Sequence, residues 1–419
     1  MRARVVDRPF FAPDRRRDGL AARAVLEIVN DDMPYLVRST AAAVRRLGHA
    51  VLRVTHPIIR ARRDDEGRLL EVCDPLASPP GAKAESFMRV EFALSRDDAD
   101  LAAVAEEAAQ ALADVRATHD DGADMRRRLA EAISGMNRVA RAAPDDNRFV
   151  EEAMEAEALL SWLDDERFIL LGRREYRFVR ENDAVVVLSE GGLGVLRDDD
   201  VTALEGLRRA EGPPPDIRRF IAAPQALMMT KAGLVSRVVD NRPMDAVFVK
   251  RFGADGEAVG GELFVGLLTP AAYARSPREI PFLRRKTANV LNRAEFDPTS
   301  HNGQSLAHIL ETFPRDELFA IDEAELSRIA LGMLNLREDK VALFIRRDPF
   351  DRFASCLVFA PRDRLDADFR RRAVRLLEEA CGGAATAVSV RLDDGGPALL
   401  HAVVKAAGAL PAIDAAATE

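Results

Sequence analysis

The sequence predicts an α+β protein of several domains, with an α/β sandwich towards each end, a mainly antiparallel β region between them, and helical connectors. Three observations predict it. Residues 24–119 alternate between strand and helix periodicity; from Arg167 to Thr269 the apolar period falls to two; and from Val341 the order strand, strand, helix, strand, strand returns. A chain of 419 residues has room for about two to four domains. Its 47% apolar and 31% charged side chains are ordinary for a globular protein, so disorder is not the default.

Residues 1–23 read as an N-terminal arm and 24–119 as the first sandwich. The run Val25 to Val37, VLEIVNDDMPYLV, is an apolar strand stopping at Asn30-Asp31-Asp32, with a helix beginning at Met33-Pro34. Asn and Asp side chains accept bonds from unpaired helix N–H groups, and Pro has no N–H to leave unpaired. Met33, Val37, Thr40, Val44 and Leu47 recur at helical spacing, with Arg38, Arg45 and Arg46 opposite and Gly48 as the stop. His49 to Arg62 reads as one long strand, turning at Glu66-Gly67 into Arg68 to Val72, and Ser86 to Leu94 as another. Asp98 to Val115 closes the unit as a helix with Leu101, Val104, Ala108, Leu112 and Val115 inward.

Residues 120–166 form a helical connector, helical from Asp124 to Asp165, broken near Pro144, with Trp162 packing into the next unit. Residues 167–275 are the antiparallel domain, with strands at Phe168–Val179, Asp183–Ser189, Ile217–Ala223, Ala226–Ala232, Met244–Phe252 and Gly261–Thr269. Asn182-Asp183 and Asp255-Gly256 have the composition of hairpin turns. In the helical segment 276–338, Ser276, Pro277 and Glu279 predict a capped helix start, and further helices lie near Gln304–Phe313 and Glu323–Leu336. Residues 339–419 are the second sandwich: strands Val341–Arg346 and Phe353–Ala360, helix Asp366–Cys381 ended by Gly382-Gly383, strands Ala385–Leu392 and Leu399–Val404. A second helix opens at Asp414 without a body, so the chain reads as a fragment of something longer, its last ten or so residues disordered or resting on a neighbour.

A net charge of −8 over interleaved charges gives no cationic face for a polyphosphate, which argues against nucleic acid as a partner. The arginine clusters Arg15 to Arg17, Arg45-Arg46, Arg126 to Arg128 and Arg284-Arg285-Lys286 read as solvated faces. No apolar run is long enough to cross a membrane and MRARVVDRPFFAPDRRR is no secretory signal, so the expected location is cytoplasmic, with no membrane partner. Cys73, Cys356 and Cys381 are scattered, which suits free buried thiols better than a disulfide framework or a zinc site. No GxGxxG turn, phosphate loop, HExxH helix or GxSxG elbow occurs; Gly191-Gly192-Leu193-Gly194 and Gly260-Gly261 read as turns between strands. His301 and His308 lack an acidic ligand beside them, and Ser305 with His308 lacks an orienting carboxylate. No catalytic residue and no metal site is therefore assigned.

Four long words occur in one order: VLEIVNDDMPYLV, HPIIRARRDDEGRLLEV, RSPREIPFLRRK and RRDPFDRFASCLVFAPRDR. Together they resemble the N-terminal regulatory region of the large NAD-specific glutamate dehydrogenases of bacteria, from about Val25 onward. The resemblance implies two ferredoxin-like, ACT-type sandwiches flanking a PAS-like domain. ACT modules often carry an Asp-x-Pro-Gly ligand turn; this chain has Asp32-Met33-Pro34-Tyr35, with Tyr35 in place of the glycine. Candidate effector contacts are thus Asn30, Asp31, Asp32, Met33, Pro34 and Tyr35, and Arg346, Arg347 and Asp348 are a second candidate for an anion or an interface. The implied role is a noncatalytic regulatory and oligomerisation region. The implied partners are the rest of the subunit, further copies of it and an amino-acid effector; the NAD cofactor belongs to the parent enzyme and none to this chain. The alternative is a standalone amino-acid-binding protein.

Overall fold

A computed structural model describes residues 2–6, 23–74, 79–94, 100–142, 147–181, 184–204, 207, 213, 215–253, 256–336, 339–348, 352–392, 397–406 and 410–411. The class is α+β with antiparallel sheets, as the periodicity predicts. The first unit comprises β1 (Arg2–Val6), β2 (Arg23–Asp31), α1 (Leu36–Arg46), β3 (Ala50–Thr55), β4 (Ile58–Arg63), β5 (Leu69–Cys73), β6 (Lys83–Ala93) and α2 (Leu101–Asp120). Its sheet has the order β1-β2-β6-β4-β5, with β3 also along β6. The segment 2–6 thus lies along β2 as a strand. The single long strand expected over His49–Arg62 is instead β3 and β4, parted at His56-Pro57, because Pro57 has no N–H to give the ladder. Both helices lie on one face, where Leu26, Ile28, Met88, Val90 and Phe92 meet Leu36, Val44, Val104, Ala108, Leu112 and Val115 in one buried cluster.

Helices α3 (Gly122–Ala142) and α4 (Asn147–Asp164) form the connector. They contribute Leu129, Met136, Leu159, Leu160 and Leu163 to the second core, against which Trp162 packs with the Arg167 guanidinium 5.4 Å from its ring centre. The middle sheet follows: β7 (Phe168–Glu181), β8 (Ala184–Gly194), β9 (Leu227–Val235), β10 (Pro243–Phe252) and β11 (Ala258–Leu268), in the order β8-β7-β11-β10-β9, all antiparallel.

Three expectations fail here, the first being Gly191-Gly192-Leu193-Gly194, expected as a turn and found inside β8, where a Cβ on Gly192 would lie 1.8 Å from Leu196 O. Ile217–Ala223, expected as a strand, lies largely within the helix α5 (Pro215–Ala222). Pro215 takes the first helical position, and Ile217 and Phe220 share one buried face at a spacing of three. Gly260-Gly261, expected as a turn, sits inside β11: a Cβ on Gly261 would lie 2.4 Å from the Phe248 ring, so the aromatic needs the glycine. Asn182-Asp183 and Asp255 lie outside the described residues. Gly256 adopts φ 78° in the β10–β11 connection, its N–H donating to Gly253 O at 3.1 Å.

The helical segment holds α6 (Pro270–Tyr273), α7 (Leu283–Ala294), α8 (His301–Thr312), α9 (Arg315–Ala320) and α10 (Glu323–Leu334). The helix expected at Ser276 does not form beyond a turn. Pro281 has no N–H to return to Pro277, and the helix restarts at Leu283 with Phe282 at φ 71°. The Ser276 hydroxyl accepts from Arg278 N at 3.2 Å and donates to Glu311 at 2.8 Å. Nor are Arg284-Arg285-Lys286 an exposed face: Arg284 and Arg285 pair with Glu155 and Glu152 of α4, and Lys286 is buried.

The last unit is β12 (Ala342–Arg347), β13 (Phe353–Ala360), α11 (Ala367–Cys381), β14 (Gly383–Leu392) and β15 (Ala398–Ala406), with sheet order β12-β13-β15-β14. One face of this sheet packs under α11 through Leu343, Ala354, Cys356, Leu377 and Leu400. The opposite face, with Leu357, Phe359 and Leu399, joins the core shared by the middle sheet and helices α7 to α10. The helix opening at Asp414 lies outside the described residues. All three cysteines are buried and outside any disulfide.

Candidate functional site

The junction after β2 is built differently from its sequence reading. The helix starts at Leu36, not at Met33-Pro34, and no side chain caps it: the N-cap is Tyr35, at φ 72°. A tyrosine therefore holds the left-handed backbone that glycine adopts without strain. Asn30 is buried; it takes 3.0 Å from Arg116 Nη2 of α2 and donates its own amide to Asp31 O. Asp31 accepts the same Arg116 at 2.9 Å. Met33 is part of the core, Asp32 N donates to Ala84 O at 3.0 Å, and Asp32, Pro34 and Tyr35 face solvent. Of the six residues, Asn30 and Asp31 are thus brought together by one arginine and Met33 is withdrawn.

At the second candidate the chain ties units together. Arg346, at the end of β12, forks onto Glu317 of α9 with Nε at 2.8 Å and Nη2 at 3.2 Å, and both side chains are 4–5% exposed. The Arg346 guanidinium holds the Glu317 carboxyl far below the usual carboxylate range, against a burial that would raise it. Asp348 takes both Nε and Nη2 of Arg352, at 2.7 and 2.8 Å, and the Thr230 hydroxyl of β9 at 3.2 Å. Arg352 also reaches Ala203 O at 3.3 Å. Arg347 donates to Leu410 O and Pro411 O. Arg346 and Asp348 are saturated by the protein, so the anion site expected from RRD is already occupied by this chain's own groups.

Beside these pairs lies a cavity of about 320 Å³, walled by β9, α6, α9 and the open face of β14 and β15. Within it Lys231 bonds Asp245 at 2.5 Å and Asp316 at 3.0 Å, and the Tyr273 hydroxyl donates to Asp316 at 2.7 Å. The two carboxylates raise the Lys231 value despite its burial, while burial raises that of Tyr273. His401 Nε2 lies 2.9 Å from Ser355 Oγ and 3.6 Å from Glu317 Oε1. Serine and carboxylate thus contend for one ring nitrogen. A catalytic triad needs them on opposite nitrogens and an accessible hydroxyl, whereas Ser355 is fully buried. Among the described residues the arrangement has no relay for acyl transfer.

Sequence reading missed this cluster, because Lys231, Tyr273, Asp316 and His401 stand far apart along the chain and share no motif. The one available sign was a lone lysine in the otherwise uncharged strand ALMMTKA. Among the described residues no group of three or more His, Cys, Asp or Glu is placed to hold a metal ion, and no helix is long and apolar enough to cross a membrane.

Three family models match: glutamate dehydrogenase ACT1 domain over residues 5–108, helical motif 1 over 280–339, and ACT2 domain over 342–419. The NAD-specific glutamate dehydrogenase of Halomonas elongata is 34% identical over 374 residues, 88% of this chain and 23% of its own length. Those of Pseudomonas aeruginosa and Mycobacterium tuberculosis are each 29% identical, over 88% and 96% of this chain and 22% and 24% of theirs. The chain therefore spans about a quarter of the relatives it matches.

Proposed function

Because this chain belongs to the large NAD-specific glutamate dehydrogenase family, as its ACT1, helical-motif and ACT2 region, we propose that it is the noncatalytic regulatory and assembly part of such an enzyme. The whole enzyme would oxidise L-glutamate with NAD and water to 2-oxoglutarate, ammonium and NADH. Every strand pair described here is antiparallel, whereas a doubly wound dinucleotide fold needs parallel strands with a Gly-rich first turn. The described residues do not fit nicotinamide dinucleotide in that manner, so the reaction is assigned to the remainder of the subunit.

One observation carries the regulatory reading: the last sheet is wired to its neighbours through buried charge. Arg346 grips α9, and Asp348 with Arg352 grips β9. Such ties hold sandwich, helices and middle sheet in one arrangement, and a ligand or subunit contact that prefers another must break them, which is how coupling of about 1–3 kcal/mol passes between sites. Of the sensing and scaffolding uses open to the β2–α1 junction, its geometry favours scaffolding, since Arg116 already occupies Asn30 and Asp31. The PAS-like reading of the middle domain rests on its five-stranded antiparallel sheet. The test is a spectrophotometric assay of the 419-residue chain with glutamate and NAD: no NADH is expected, and turnover would overturn the division of labour.

A further inference from the structure

We propose that the cavity beside α9 binds a small organic carboxylate with a compact apolar body. Two cations on its wall lack a carboxylate partner among the described residues. Lys405 of β15 is exposed and makes no side-chain bond there. Arg242 spends Nη2 on Leu268 O at 2.5 Å and lies over the Tyr273 ring, while its Nε is buried with no acceptor at all. Its Nη1 makes no bond among the described residues, and Arg242 lines the cavity beside Lys405, so a carboxylate there would meet two cationic N–H donors. The neighbouring charges are already spent: Lys231 on Asp245 and Asp316, Arg352 on Asp348. The rest of the wall is mixed, with Thr386 and Ser389 on β14 and an apolar patch of Leu234, Pro243, Phe353 and Val403 that suits a compact aliphatic group. About 320 Å³ is the small end of ligand cavities. The ligand would touch the middle sheet and the last sheet together, and the assignment stands whether or not the chain regulates a dehydrogenase.

The test is isothermal titration of the full chain with 4-methylpentanoate, L-leucine and isopentylamine. The two carboxylates are expected to bind and the amine not; which carboxylate is tighter tells whether the natural ligand is a plain acid or an amino acid. Lys405→Gln is expected to weaken binding about tenfold and Arg242→Gln more. Ala387→Phe, at an exposed strand position lining the cavity, is expected to abolish it without unfolding the chain, and Asp31→Ala to leave it unchanged. Should Arg242→Gln fail to fold, the other two variants decide. No heat from either carboxylate at millimolar concentration, equal binding of the amine, unchanged binding by Lys405→Gln and Ala387→Phe, or loss with Asp31→Ala would overturn the proposal.

Discussion

The two sandwiches are attached to the middle of the molecule by different physics. The first shares one continuous apolar cluster with the middle sheet: Leu26, Val44 and Val115 belong to the same buried group as Leu171, Tyr176, Val239 and Leu263. Its ion pairs across that boundary run from wet, Arg38 with Asp240 at 57% and 47% exposed, to half-buried, Arg237 with Glu107 at 38% and 16%, and none is enclosed on both sides among the described residues. The last sandwich adds to its apolar contact two fully enclosed charge clusters. Apolar contact is indifferent to pH and tolerant of small shifts, whereas an enclosed ion pair is all or nothing, because losing one partner strands the other charge. The last unit is thus attached through apolar contact and enclosed charge together, the first mainly through apolar contact.

Variants can break that contrast, beginning with the largest effect. Arg346→Met should destabilise the last unit by about 3–5 kcal/mol in urea unfolding, and the double variant Arg346→Met/Glu317→Leu should recover much of it. A single variant costing under about 1 kcal/mol would show that the pair is not what holds the unit.

Acid should separate the two units next. The Glu317 value is depressed in the folded chain, so its contribution is complete above the unfolded value of about 4.3 and is lost as pH falls through the folded one. Near-ultraviolet dichroism of the aromatic residues and proteolysis between pH 5 and pH 2 should therefore report release of the last unit before the first.

Smaller changes test the first unit. Tyr35→Gly removes the strain of a tyrosine at φ 72° and should stabilise by about 0.5–1 kcal/mol. Arg38→Ala should cost no more than about 0.5 kcal/mol, since the pair it breaks is hydrated. A cost of several kcal/mol there would erase the distinction between the two attachments.

Periodicity was enough where one face of an element decides its burial. Phe353–Ala360 was legible to the residue and α10 from its first residue, because a largely apolar run and an apolar helical period are local features. IRRFIAA was not, since a short apolar run fits either period and only Pro215 tips it to helix. RSPREIP misled because a good start signal was overruled by a proline five residues on. The site was the least legible part. Arg346 stood out in the sequence, but its partner Glu317 lies in a six-residue helix with no periodic signature, and the partnership exists only after three units have docked.

α9 is too brief to persist alone; Lys286 of α7 secures its end by donating to the carbonyls of Leu318 and Ile321 at 2.6 Å each, although burial pushes the lysine down to about 7. Its neighbours Asp316 and Glu317 reach opposite ways, one to Lys231 of the middle sheet and the other to Arg346 of the last. One short helix therefore carries an ion pair to each of two sheets, and any displacement of it towards one would lengthen the pair to the other.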